Sequence, residues 1–296
     1  MLRAMSLRSI SMVLLLLAAC ARGSTEELTP SQENEIDRTD PVDDAGARLG
    51  SKADGGVPEA QADAAAPEAD ADAGDLASLA NGLVFHMTFD SAAPVDASGH
   101  HPASTISVTS FTAAPDRFGH PSGAARFNAT PSSLIQVGPP NLMPLGGSAR
   151  SLAAWVRPRI AAPAATTTNL HSNVFLHWGI DDCTSKMFGL GNQGDHGFAW
   201  TGCIDLGSTF PVPVATWTFV AMTYRVDGTL TLVVGNQQTA RTGVMLQTPA
   251  SPLAIGGERK TFGQGFVSYF DGDLDDVRVW SRALDNVELT ALAADH

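Results

Sequence analysis

The chain has 296 residues, 44% hydrophobic and 17% charged, with 28 Gly, 18 Pro and 3 Cys, which is enough apolar material for one large domain or two small ones and excludes disorder throughout. Eighteen Lys and Arg stand against 31 Asp and Glu, a formal charge of −13. That balance excludes a protein that holds nucleic acid by neutralising phosphates.

Arg3 and Arg8 precede an uncharged run from Ile10 to Ala19 that contains Leu14, Leu15, Leu16 and Leu17. A basic start and an apolar core of about ten residues read as an export signal, because a spanning helix needs about twenty. The run ends in Leu17-Ala18-Ala19-Cys20, which resembles the bacterial lipobox, where small residues admit the peptidase and the Cys thiol accepts a diacylglyceryl group before cleavage. The resemblance implies that residues 1–19 are a lipoprotein signal peptide and that Cys20 opens the mature chain. A second acyl chain on the freed amino group would complete stable attachment to the membrane. Ala21 stands where an Asp would suggest inner-membrane retention, so the expected location is the outer membrane or cell surface. A secretory signal that happens to end near a Cys is the plainer alternative.

Residues 20–80 read as a tether. From 21 to 80 there are 15 Asp and Glu and 4 Lys and Arg, and no Phe, Trp or Tyr. Such a stretch cannot bury enough apolar surface to offset its conformational entropy. It should behave as a self-repelling coil with a reach of roughly 40–50 Å. An acidic segment that buffers calcium or binds a partner is the alternative.

Residues 81–296 hold every Trp, Tyr and Phe and are only mildly acidic. Leu83, Phe85, Met87 and Phe89 alternate with Val84, His86 and Thr88, the period of a strand. Similar runs fall near 105–109, 123–128, 134–137, 151–157, 173–180, 197–204, 217–224, 229–234, 253–256 and 273–280. Turn signals such as Ser98-Gly99, Pro139-Pro140 and Gly256-Gly257 separate them. Asp227-Gly228, between two of these runs, predicts a hairpin. Asp285 and Glu288 form a capping box for a last helix, with Val287, Leu289 and Leu292 as its apolar stripe. About a dozen strands and one short helix predict an all-β, two-sheet antiparallel jelly-roll sandwich.

Several segments are similar to the laminin-G-like jelly roll of the concanavalin A-like lectin and glucanase superfamily. They are Gly82 through Asp90, the Asp96-Ala97-Ser98-Gly99 turn, Gly123 through Phe127, Leu152 through Pro158, Trp217 through Tyr224, and Phe270 through Leu284. The resemblance covers nearly the whole domain except 159–212. It implies two stacked, curved antiparallel sheets and a binding, adhesive or glycosidase role.

With Cys20 lipidated, Cys183 and Cys203 remain, an even pair in an exported chain and an expected disulfide. They flank Met187 to Leu190 and Gly197 to Trp200, so the bridge would staple a hairpin. Redox or metal chemistry by two free thiols is the alternative.

A glycosidase needs paired carboxylates, yet Glu258 and Glu288 are the domain's only glutamates, neither in a Glu-x-Asp-x-x-Glu strand. No Gly-x-Ser-x-Gly elbow occurs. The histidines, among them His100, His101, His171, His177 and His196, lack zinc spacing and read as loop or edge residues. Asp271, Asp273, Asp275 and Asp276 form the densest carboxylate cluster, without the Gly and Glu of an EF-hand. Asp275 is expected on the face of Val277 and Val279, where a lone carboxylate would be costly. Related jelly rolls hold a structural calcium near the junction of first and last strands, and Asp90, Asp96 and Asp275, with carbonyls near Gly99, resemble those ligands. The alternative pairs Asp275 with Arg278, Arg126 or backbone amides.

Trp155, Trp217 and Trp280 fall in segments that resemble core strands. That leaves Trp178 and Trp200, with Asp182 and Asn192 close in sequence, as candidates for a sugar site or else as core. The expected function is a non-catalytic, surface-anchored module that binds glycan, with calcium as its one candidate cofactor. A protein-binding or structural envelope module is the second reading and a divergent hydrolase the third.

Overall fold

The computed structural model describes residues 78–91, 93–163, 173–259 and 266–294. The expected signal peptide, Cys20 and nearly all of the expected tether lie outside the described residues, as does His171. In chain order the strands are β1 (Leu83–Met87), β2 (Ile106–Val108), β3 (Thr112–Ala114), β4 (Ala124–Asn128), β5 (Ile135–Val137), β6 (Arg150–Pro158), β7 (Val174–Gly179), β8 (Met187–Gln193) and β9 (His196–Trp200). They continue as β10 (Leu206–Pro211), β11 (Thr218–Tyr224), β12 (Leu230–Val234), β13 (Gln237–Arg241), β14 (Leu253–Ile255), β15 (Glu258–Arg259), β16 (Phe266–Val267) and β17 (Asp271–Trp280). Helix α1 (Asn286–Ala294) follows.

One sheet has eight strands in the order β13-β12-β11-β6-β17-β4-β3, with β1 also paired to β17. The other has seven, in the order β10-β9-β8-β7-β14-β5-β2. The expected all-β sandwich of two antiparallel sheets with a short C-terminal helix is what the chain forms. Between the sheets lies the main core, where Phe85, Met87, Leu152, Val156, Trp178, Phe188, Met222, Leu232 and Phe270 meet.

Strand β6 shows why the middle of the eight-stranded sheet is buried on both faces. Leu152, Ala154 and Val156 enter the main core, while Ala153 and Trp155 turn outward to join Phe219, Ala221, Val233 and Trp280. Helix α1 covers that outward patch with Leu289 and Leu292, helped by Leu284. The capping box is present: the Glu288 N–H donates to Asp285 Oδ1 at 2.9 Å and the Asp285 N–H to Glu288 Oε2 at 3.1 Å. Val287, expected in the apolar stripe, is 58% exposed, and Leu284 just before the helix supplies the third contact instead.

Strand β17 is the hub of this sheet. Along one edge its first half pairs with β4 and its second half with β1, while β6 lies along the other. The register against β6 shifts between Asp275 and Arg278, and Asp276 has φ 54°. This bulge corrects the expected face of Asp275. Leu274, Val277 and Val279 all enter the main core, whereas Asp275 pairs in register with outward-facing Trp155.

Strands β3, β10, β13, β15 and β16 fall in none of the alternating runs, and β8 was expected only as one arm of the disulfide hairpin. The β11–β12 turn carries Gly228 at φ 84°, with the Asp227 carboxylate accepting the Thr229 N–H at 2.8 Å. Cys183 and Cys203 are bonded, with Cα atoms 4.9 Å apart, and they staple the β8–β9 hairpin as expected.

Candidate functional site

An open groove of about 450 Å³ lies where the ends of β6, β10, β11 and β12 meet the last turn of α1. Its floor is aromatic. Trp155 and Phe219, paired across β6 and β11, have ring centroids 5.7 Å apart, and Phe210 and Trp217 extend the surface. The loop that carries Trp217 is pinned by the Val212 N–H donating to Asp195 O and the Ala215 N–H donating to Pro158 O, both at 2.7 Å. Arg157 lies over the Trp217 ring at 4.7 Å and is itself held by Asp273 at 2.9 Å and by Pro115 O at 3.1 Å. One face of this indole is therefore occupied and its position fixed.

The rim is amide. Val234 and Gln237 face each other across a two-residue turn in which Gly235 has φ 61°, a conformation that suits glycine, and its N–H donates to Phe219 O at 2.8 Å. That turn presents Asn236 and Gln237, both exposed, at the groove mouth. The Trp217 Nε1 hydrogen is buried and has no hydrogen-bond partner among the described residues. Among the described residues, no charged side chain lines the groove. Flat aromatic surface with a few neutral donors and acceptors at the edge suits a ligand that is apolar on its faces and polar around its rim.

Beside the groove, the same outward face becomes ionic. Asp273 is 1% exposed and accepts from Arg126 Nε at 2.7 Å and Arg157 Nε at 3.0 Å. Arg117 reaches in from the loop before β4, donates to Asp275 Oδ2 at 2.6 Å, and lies over the Trp155 ring at 5.3 Å. Burial pushes the Asp275 carboxyl up to about 7, with Arg117 opposing the rise. Asp276 is buried too, which alone would raise it, yet His86 and Arg278 hold it below the usual carboxylate range. His86 Nε2 lies 2.7 Å from Asp276 Oδ1 and Arg278 Nη2 lies 2.9 Å from Oδ2. Asp275 is thus paired with Arg117.

The three aspartates expected around calcium are employed separately. Asp96 accepts backbone N–H groups of His86, Ser98 and His101 at 2.8, 3.0 and 2.8 Å and the Ser98 hydroxyl at 2.7 Å. Asp275 carries Arg117, and Asp90 is exposed on the loop after β1. No group of three or more His, Cys, Asp or Glu among the described residues is placed to hold a metal ion. The donors named from the sequence therefore do not fit calcium as a set.

The aromatic candidates divide differently from the sequence expectation. Trp178 is fully buried in the main core, its indole donating to Pro144 O at 3.1 Å. Trp200 is also fully buried, packed with Val174 and Met187 on the seven-stranded sheet, where a Cβ on Gly191 would collide with its ring. Asp182 is half-buried, bonded to the Thr184 N–H at 3.1 Å and to Lys186 at 3.2 Å. Asn192 is 1% exposed and donates to Gly194 O at 3.3 Å. None of these four lines the groove. Trp155 and Trp217, expected as core alone, are its floor. His177, expected at a loop or edge, is fully buried in β7, and His101 is 2% exposed.

Two stacked antiparallel sheets with an aromatic groove at one end define a lectin-like sandwich. A sequence profile described as concanavalin A-like lectin/glucanases superfamily (Laminin G 3) matches residues 130–290, and the chain belongs to that family. No curated protein matches the chain in sequence. Among solved structures, the binding domain of Paraclostridial Mosquitocidal Protein 1 is similar at a TM-score of 0.54 and 16% identity, over 73% of this chain and 52% of that one. Domain 4 of AbnA, a GH43 extracellular arabinanase from Geobacillus stearothermophilus, in complex with arabinotriose, gives 0.52 and 20%, over 71% and 98%. The botulinum neurotoxin serotype C1 binding domain gives 0.52 and 11%, over 72% and 52%. This chain spans about half the length of the two toxin domains. At these identities the likeness establishes the fold.

Proposed function

We propose that this protein is a non-catalytic carbohydrate-binding module held at the bacterial outer membrane or cell surface through a lipidated Cys20, with the Trp155 and Trp217 groove as its site. The observation that carries the reading is an aromatic floor rimmed by Asn236 and Gln237 with no charge among its lining residues. Sugar rings present apolar faces for stacking and hydroxyls for amides. The likeness to binding domains and to a domain bound to arabinotriose supports the same class of role. The glutamates support the non-catalytic part. Glu288 is committed to the helix cap and Arg282, Glu258 is fully buried, and no described residue lining the groove is a carboxylate for acid or nucleophile duty.

The test is binding of the full chain to a broad glycan panel, in calcium and again in chelator, beside Trp217→Ala and Asn236→Ala. Saturable binding that Trp217→Ala weakens at least about tenfold is expected, the order of one lost stacking contact. Binding untouched by both substitutions would move the site elsewhere. No binding by a folded protein would favour a protein partner.

A further inference from the structure

We infer that the ligand is an uncharged, linear saccharide of at least two residues, which lies along the last turn of α1 and past the β12–β13 turn. This rests on the carbohydrate reading of the groove and adds a length and a charge to it. The groove does not end at Asn236. A second cavity of about 190 Å³ lies between α1 and the outward face of β12 and β13, and it shares Gly235, Asn236 and Ala293 with the first. Ala293 borders both, a methyl group where a longer side chain would narrow the space between them.

The cavities differ in chemistry in a way that orders the ligand. The first offers the half-buried Trp217 for a stacked ring, with Trp155, 4% exposed, packed beneath as support. Among the described residues the second has no aromatic; Leu289 and Val233 form its base, exposed Gln238 offers an amide, and exposed Thr290, whose O–H donates to Asn286 O at 2.7 Å, offers a hydroxyl oxygen as acceptor. A single ring seated at Trp217 would leave the second cavity to water, whereas a chain spanning both exchanges water for polar contacts along its length. Asn236 borders both spaces and so faces the linkage between successive residues.

Charge is the sharper constraint. Among the described residues, neither cavity is lined by an Asp, Glu, Lys, Arg or His. The guanidiniums that lie over the groove's indoles, Arg157 on Trp217 and Arg117 on Trp155, are already paired with buried Asp273 and Asp275. A uronate or sialate carboxylate would enter a partly desolvated space with no cation to receive it, which is costly.

The test uses the full chain and isothermal titration with two probe series: neutral xylo- and arabino-oligosaccharides of one to four residues, and oligogalacturonides of the same lengths. For a neutral series, affinity should rise about tenfold between one residue and three, the worth of one or two added hydrogen bonds. The galacturonides should bind at least about tenfold more weakly at each length. Thr290→Phe, which fills only the second cavity, should reduce the three-residue affinity to that of the single residue and leave the latter unchanged. Trp217→Ala should lower both. Equal affinity for one and three residues, a preference for the acidic series, or a length dependence that survives Thr290→Phe would each overturn the inference while leaving the groove a sugar site. If no saccharide of either series binds the folded protein, the carbohydrate reading fails and this inference with it. Thermal melting monitors the fold of each variant, and Gln238→Ala on the exposed edge strand replaces Thr290→Phe should that variant melt early.

Discussion

Asp275 shows how one backbone bulge decides the chemistry of a residue. Without the left-handed Asp276 the alternation of β17 would carry Asp275 into the main core; with it, the carboxyl lies outward between Trp155 and Arg117. Its pKa rises from the ordinary 3.8 to about 7 because burial disfavours the charged form more than Arg117 restores it. The folded protein therefore keeps a proton that the unfolded chain has released. Stability from this group is fully present below about 4 and is lost as pH rises toward 7. Asp275→Asn has no such proton, so the stability of wild type relative to the variant should fall on going from pH 4.5 to 7.5. The change should be on the order of 1–4 kcal/mol. Urea melts of both proteins at the two pH values measure it, and a constant difference would show that Asp275 is ionised throughout.

Helix α1 has one residue that ties its cap to Arg282 and to the segment before β1. Glu288 closes the capping box, meets Arg282 at 2.6 and 2.7 Å and accepts the Ser78 hydroxyl at 2.9 Å. Arg282, above all, lowers its carboxyl to about 2. A depressed carboxylate stabilises above its unfolded value near 4.5 and loses that contribution as pH falls toward 2. Glu288→Gln should thus cost roughly 2–3 kcal/mol at pH 7, a deficit that shrinks between pH 4.5 and 2 in thermal melts. A gap independent of pH would place the cost in the cap hydrogen bonds alone. This cap was legible in the sequence because its two residues are neighbours and their roles are local. The strands buried by alternation, such as β1, β6 and β11, were legible for the same reason. Strand β13, Gln-Gln-Thr-Ala-Arg on an edge with almost nothing to bury, was not. The β17 bulge was hidden because Asp273, Asp275, Val277 and Val279 read as an unbroken alternation. Nor could one chain of letters tell which tryptophans floor a groove, since Trp178 and Trp155 sit in equally apolar strands and differ only in what covers their face of the sheet.

Across the described domain, the two ends of the chain hold each other. β1 completes the edge of β17 that β4 leaves open, Trp280 Nε1 donates to Leu79 O at 2.7 Å, and Arg282 donates to Asn81 O at 2.7 Å and to Ser78 O at 2.9 Å. The eight-stranded sheet is therefore complete only when its first and last strands are both present, a long-range closure that favours slow folding. Helix α1 then covers the outward apolar patch. Ending the chain after Ala283 removes Leu284, Leu289 and Leu292, all buried, and uncovers Trp155, Phe219, Val233 and Trp280. Three buried leucines contribute roughly 5–8 kcal/mol, comparable to the whole stability of an ordinary domain. The truncated protein should bind a hydrophobic dye and melt without cooperativity. It should also lose saccharide affinity, because Ala293 closes one side of the groove. Cys183 and Cys203 staple a hairpin of the other sheet, so their bond should still form in the truncated chain. Cooperative melting at the wild-type temperature without dye binding would mean that the outward face tolerates water, and that the helix serves the groove rather than the fold.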